Sequence, residues 1–138
     1  MNKFKWDDIQ IDQEESFEQV IEEEMLASFA SISGDQNPLH TDLGFAKDNG
    51  HPKRVAHGLL TSALYSRLVG MSLPGKYALL HGIDISFKAP VYPGDNLTVS
   101  GKVFHKTDAY KQMEIKASIK NQKGKTVSKA LIKVGVSK

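Results

Sequence analysis

The sequence predicts an α+β fold in which a curved antiparallel β-sheet wraps around a long central α-helix. Two observations carry this. Apolar residues recur every three to four positions over residues 57–72 and every second position from residue 77 onward, the periods of a helix and of half-buried strands. A sheet with one polar face needs its other face covered, and the 57–72 helix is the available cover. The 138 residues read as one domain spanning 1–138, with no repeat or low-complexity linker dividing it.

Residues 1–14 are polar with isolated apolar anchors (Phe4, Trp6, Ile9, Ile11), as expected of a segment that wraps a surface. Glu15–Ile21 is expected as a first strand, with Phe17, Gln19 and Ile21 on one face. Glu22–Ile32 then reads as a short helix, because Met25, Leu26, Phe29 and Ile32 recur at helical spacing and Glu22–Glu24 favour its positive N-terminus. Gly34 ends it. Thr41–Asn49 makes one or two helical turns before Gly50 and Pro52 stop it.

The long helix is expected over His57–Ser72, with Leu59, Leu60, Ala63, Leu64, Leu68 and Met71 supplying its apolar surface. Gly58, Ser62, Ser66 and Gly70 fall four apart and form a narrow small-residue stripe suited to close packing on a sheet. The strands follow. Ile83/Ile85/Phe87, Leu97/Val99/Gly101/Val103, Met113/Ile115/Ala117/Ile119 and Ala130/Ile132/Val134/Val136 each alternate with polar residues. Asn121–Gly124 is a hairpin signal and Tyr92–Asp95 a turn. Met113–Ile119 and Ser128–Val136 should pair antiparallel.

Composition narrows the function. With 40% hydrophobic and 25% charged residues the chain is an ordinary globular protein, and without cysteine it has no disulfide, thiol nucleophile or thiolate metal site. No apolar run is long enough to cross a bilayer, and Met1–Asp8 lacks the apolar middle of a signal peptide, so a cytoplasmic protein with no membrane partner is expected. The net charge of +2 hides an asymmetry: residues 1–48 hold 12 Asp/Glu and 3 Lys/Arg, against 4 and 15 in residues 49–138. The lysines are scattered rather than clustered with aromatics, which reads as exposed strand faces and not as a nucleic-acid surface. A basic rim for a phosphate-bearing ligand is the alternative.

The stretch that concentrates chemistry is Ser33-Gly34-Asp35-Gln36-Asn37-Pro38-Leu39-His40. A carboxylate, an amide and an imidazole fall within six residues on a turn stiffened by proline, and together they could hold one water and move its protons. The same residue types are also ordinary turn chemistry. The five histidines show no i, i+2 or i, i+4 pairing, so no metal site is expected, and no Gly-x-Ser-x-Gly elbow supports a serine triad.

Three blocks raise the first reading above the second. Phe29–His40 resembles the signature of the MaoC-like, (R)-specific enoyl-CoA hydratases; Val55–Ser62 and Phe87–Asp95 resemble that family's next markers, in the same order. The resemblance implies a hot-dog fold that pairs into a homodimer or higher even homo-oligomer. It implies Asp35 and His40 as the acid/base pair, Asn37 as a residue that fixes the water, and the Gly58 N–H as oxyanion donor. Ser66 and Val69 match pocket-lining positions that limit acyl-chain length, and the small-residue stripe could make room for a thin chain. His57 reads as a capping or packing residue. The implied reaction hydrates a trans-2-enoyl-CoA, or dehydrates an (R)-3-hydroxyacyl-CoA, with coenzyme A or an acyl-carrier protein as carrier and no other cofactor. A thioesterase, and an acyl-thioester-binding module without chemistry, are the rival readings; the Asp-x-Asn-Pro-x-His block argues against both.

Overall fold

A computed structural model describes all residues, 1–138. Five strands form one antiparallel sheet in the order β1-β3-β4-β5-β2, with β1 at Glu14–Val20, β2 at Ala78–Phe87, β3 at Asn96–Thr107, β4 at Gln112–Lys120 and β5 at Thr126–Val136. The alternation of the sequence sets the faces. Met113, Ile115 and Ile119 of β4 and Ile132 and Val134 of β5 are completely buried, while Lys102, Lys116, Lys120, Lys129 and Lys133 point outward and are exposed. Five of the 15 Lys/Arg of residues 49–138 thus lie on the solvated face of the sheet. Register shifts at Leu80/Gly82, Val103/His105 and Ile119/Lys120 mark bulges, which bend the strands around the inner face. Met113–Ile119 and Ser128–Val134 pair as the sequence predicts.

Four helices precede or enter the sheet: α1 (Glu23–Ser33), α2 (Pro38–Thr41), α3 (Leu43–Asp48) and α4 (Gly58–Arg67). The α4 segment crosses the inner face. A Cβ on Gly58 would lie 2.8 Å from the Phe87 ring of β2, the Tyr65 hydroxyl meets Ser128 of β5, and Leu68 lies over Gly101 of β3. Near the other edge the Arg67 guanidinium sits 4.1 Å from the Phe17 ring centre of β1. This is the hot-dog arrangement of a sheet wrapped around a helix.

Three details differ from the sequence reading. The α-helical hydrogen bonding of the long helix ends at Arg67, and Leu68–Ser72 continues it as a wider π-type turn. Its covered face is Thr61, Ser62, Tyr65, Leu68 and Val69, whereas Leu59 and Met71 are 65% and 47% exposed. Ile32, expected on the buried face of α1, is exposed, and Ala30 takes its place beside Leu26. Both shifts have one cause: apolar spacing identifies a helix, but the rotation of that helix is set by what it packs on. The N-terminal segment wraps as expected, with Trp6 buried, its indole N–H donating to Asp108 and the Lys106 ammonium over its ring. No helix is long and apolar enough to cross a membrane.

The Tyr65–Ser128 hydroxyl contact, 2.7 Å long, ties α4 to β5 inside the core. Burial pushes the Tyr65 hydroxyl above its ordinary value of 10.0, and the Ser128 bond opposes this only in part. The unfolded chain therefore loses this proton at a lower pH than the folded one. The contribution to stability is complete below about pH 10 and falls as pH rises through the folded value. Tyr65→Phe should cost about 1 kcal/mol at neutral pH in a urea titration and flatten the stability loss above pH 10, leaving the part due to Tyr92, whose hydroxyl burial also raises. An unchanged alkaline slope would remove Tyr65 from this account.

Candidate active site

The sequence between α1 and α2 turns through a chain of local hydrogen bonds. Gly34 adopts φ 78°, the left-handed conformation that lets the chain leave α1, and its N–H returns to the Ala30 carbonyl. The Ser33 hydroxyl donates to the Phe29 carbonyl at 2.7 Å and accepts the Asp35 N–H at 3.1 Å. Asp35 Oδ1 accepts the Asn37 N–H at 3.1 Å, and Asn37 Oδ1 accepts the Leu39 N–H at 3.0 Å. Asn37 thereby caps α2, with Pro38 in the first helical position, where a missing N–H costs nothing. The turn reading is thus realised in this loop.

That loop uses one carboxylate oxygen and leaves the other free. Asp35 Oδ2 lies 3.9 Å from His40 Nε2, too far for a direct hydrogen bond and the right span for a water about 2.8 Å from each. His40 Nδ1 is 2.6 Å from the Val55 carbonyl oxygen. A carbonyl only accepts, so Nδ1 carries the hydrogen and the neutral ring presents its lone pair at Nε2. The segment before α4 holds this geometry from behind. Val55 N–H donates to the Leu39 carbonyl at 3.1 Å, and Arg54, ion-paired with Glu23, donates to the His40 carbonyl at 3.2 Å.

His57, read from the sequence as a capping or packing residue, is packed where spacing could not foretell. It occupies the N-cap position of α4, yet its side chain makes no cap bond. Its ring lies flat on His40, with centroids 3.9 Å apart and planes 25° apart, and its Nε2 is 3.1 Å from the Asp35 carbonyl oxygen. Only 2% exposed, it leaves Nδ1 without a partner. A buried unsatisfied nitrogen costs on the order of 1–3 kcal/mol, which a residue kept only for packing would avoid. Spacing holds no signal for this contact, since His40 and His57 are far apart in sequence.

Asp35, His40, His57 and Gly58 line one cavity of about 490 Å³, walled on its apolar side by Leu59 and Phe87 among others. The Gly58 N–H, in the first turn of α4, finds no acceptor in the chain, and helix geometry points such groups outward along the positive end of the dipole. Asn37 does not line this cavity; its carbonyl oxygen is spent on the cap. Ser66 and Val69 do not line it either, the first being exposed and the second buried further along the helix. The cavity thus brings together three of the six expected residues and adds His57. Asp35, His40 and His57 place ligand-type atoms within 4.8 Å of one another, but stacked rings hold their in-plane lone pairs side by side rather than converging on one ion.

Comparison with known proteins identifies what the chain is similar to. The family profile of the MaoC like domain matches residues 7–128. Over 78 residues, 56% of this chain and 58% of the relative, the sequence is 42% identical to an (R)-specific enoyl-CoA hydratase of Aeromonas caviae. Over 98 residues, 71% of this chain and 62% of the relative, it is 35% identical to a 3-hydroxybutyryl-CoA dehydratase of Methylorubrum extorquens. The matched stretches thus span about three fifths of these curated relatives. In three dimensions the chain resembles the unliganded R-hydratase of Pseudomonas aeruginosa, with a TM-score of 0.93, 29% identity and coverage of 99% of this chain and 87% of that one.

Proposed function

Because the chain belongs to the MaoC-like domain family, we propose that it adds water to a trans-2-enoyl-CoA to form an (R)-3-hydroxyacyl-CoA, and catalyses the reverse dehydration. One observation carries the reading: the free oxygen of Asp35 and the free nitrogen of His40 face each other across 3.9 Å on the wall of the cavity that holds the Gly58 N–H. The relatives' names supply the substrate class.

The chemistry follows from what each atom can do. A water between Asp35 Oδ2 and His40 Nε2 gives one proton to the Nε2 lone pair as its oxygen attacks the β-carbon. The double-bond electrons move toward the thioester, and the negative charge on its oxygen is met by the Gly58 N–H at the helix N-terminus. Asp35 keeps its charge, orients the water and stabilises the imidazolium beside it. Nε2–H then protonates the α-carbon, which returns His40 to its starting state and completes the addition of H and OH. Asn37 acts one step back, by fixing the turn that aims Asp35. Ser66 and Val69 remain proposed as limits on acyl length, from beyond the mouth seen in one chain. Coenzyme A, or an acyl-carrier protein, presents the thioester with no further cofactor, and the protein works in the cytoplasm.

A second copy of the chain completes the site. Strand β2 has a free edge, and Leu80, Ile83 and Phe87 on its inner side are exposed, although Phe87 touches the start of α4. Phe87 and Leu59 also wall the cavity, so the surface that seeks a partner and the mouth of the site are continuous. We assign this face to a homodimer or a higher even oligomer.

Purified protein should consume the conjugated absorbance of crotonyl-CoA, yield the (R)-3-hydroxy product and release no free thiol. Thiol release without hydration would establish the thioesterase reading, and binding without turnover the non-catalytic one.

A further inference from the structure

We propose that His57 is a positioning residue for proton transfer: its ring sets the plane of His40 and its Nε2–H holds the backbone of Asp35. The inference rests on the reading of His40 as the proton carrier and Asp35 as the carboxylate that orients the water. His57 touches both of them at once, through the 3.9 Å ring stack and the 3.1 Å bond to the Asp35 carbonyl. Because that carbonyl can only accept, the proton of a neutral His57 lies on Nε2 and its lone pair on the unpartnered Nδ1.

Each contact constrains a different freedom. His40 Nδ1 is fixed by the Val55 carbonyl, but one hydrogen bond leaves the ring free to roll about it. The His57 face removes that roll and so aims Nε2 at Asp35. Asp35 is half exposed, with 49% of its side chain accessible, and its loop has no core contact of its own. Its carbonyl is held by a residue that is itself buried against Phe29, with ring centres 4.8 Å apart. His57 also directly precedes Gly58, so the acid/base pair and the proposed oxyanion donor are referred to one buried side chain. A phenylalanine would fill the same space without an unsatisfied nitrogen, so volume alone does not account for a histidine here.

The test separates stack from hydrogen bond. His57→Phe keeps an aromatic face and loses the donor; His57→Gln keeps an N–H near the Nε2 position and loses the face; His57→Ala loses both. With crotonyl-CoA as probe, His57→Phe and His57→Gln should each lower kcat by about ten- to a hundredfold through misplacement of the reacting groups, with KM within about twofold of the parent. His57→Ala should be the slowest, and His57→Gln should recover part of its loss. A folded His57→Phe and His57→Gln with kcat within about twofold of the parent would overturn the role. A spectroscopic measurement stands apart from turnover. Ring ¹³C relaxation of His40 should report a fixed ring in the parent and added ring motion in His57→Ala or His57→Gln, where only the Val55 bond still holds it. Unchanged His40 relaxation in those variants would refute the positioning role, even if the parent proves inactive toward enoyl-CoA and the hydratase reading itself has failed.

Discussion

Asp35→Asn and His40→Gln should each reduce the turnover of crotonyl-CoA by about 10²–10⁴ with little change in substrate binding, because each keeps the shape of the site while the first removes the charge that orients the water and the second the group that takes its proton. The double variant should be scarcely slower than either single one. In the proposed step the carboxylate orients the water whose proton the imidazole takes, and groups that act as a unit are not additive. Asn37→Ala is expected to differ in kind. Its carbonyl oxygen caps α2, so the loss should show first as about 1 kcal/mol of stability and only then as a modest loss of rate. Circular dichroism and a urea midpoint establish that each variant is folded before its rate is read. A folded Asp35→Asn that hydrates crotonyl-CoA near the parent rate would reduce the loop to a turn.

Removing the second copy should also cost activity. At micromolar concentration, sedimentation should show a dimer or higher even oligomer and no dominant monomer. Ile83→Asp places a charge on the inner side of the free β2 edge, where burial against a partner would leave it unpaired. It should shift the population to monomer and lower kcat/KM at least about tenfold, since an interface of ordinary size, roughly 800 Å² per partner, could not hold it. Lys123→Asp at the tip of the β4–β5 hairpin, far in sequence from that edge, serves as the control and should change neither. A fully active monomer would show that one chain suffices for the site.

The elements were legible in the sequence wherever local physics decides them. A period of two in Met113–Ile119 and Ala130–Val136 can serve only a sheet with one buried face, and these strands formed with the predicted pairing. Gly34 and Pro38 mark the end of one helix and the start of another because φ and a missing N–H are properties of single residues. For the same reason the loop that carries Asp35, Asn37 and His40 was recognisable as a turn and as a family signature together. Yet the sequence held no means of dividing the labour among those three: that Asn37 is a cap, that one Asp35 oxygen is spent on the turn, and that the other faces His40 depend on coordinates.

What only the tertiary structure decided are the contacts between segments distant along the chain. The small-residue stripe of α4 was visible, but its rotation was not, so Leu59 was expected on the sheet and instead faces outward beside the cavity. The tautomer of His40 is set by the Val55 carbonyl, and its ring plane by His57. Neither partner is encoded by spacing, because a carbonyl is present on every residue and a stacked ring can come from any buried aromatic. Sequence alone determined which polar groups the loop brings together. Packing decided which lone pair of each group is left free.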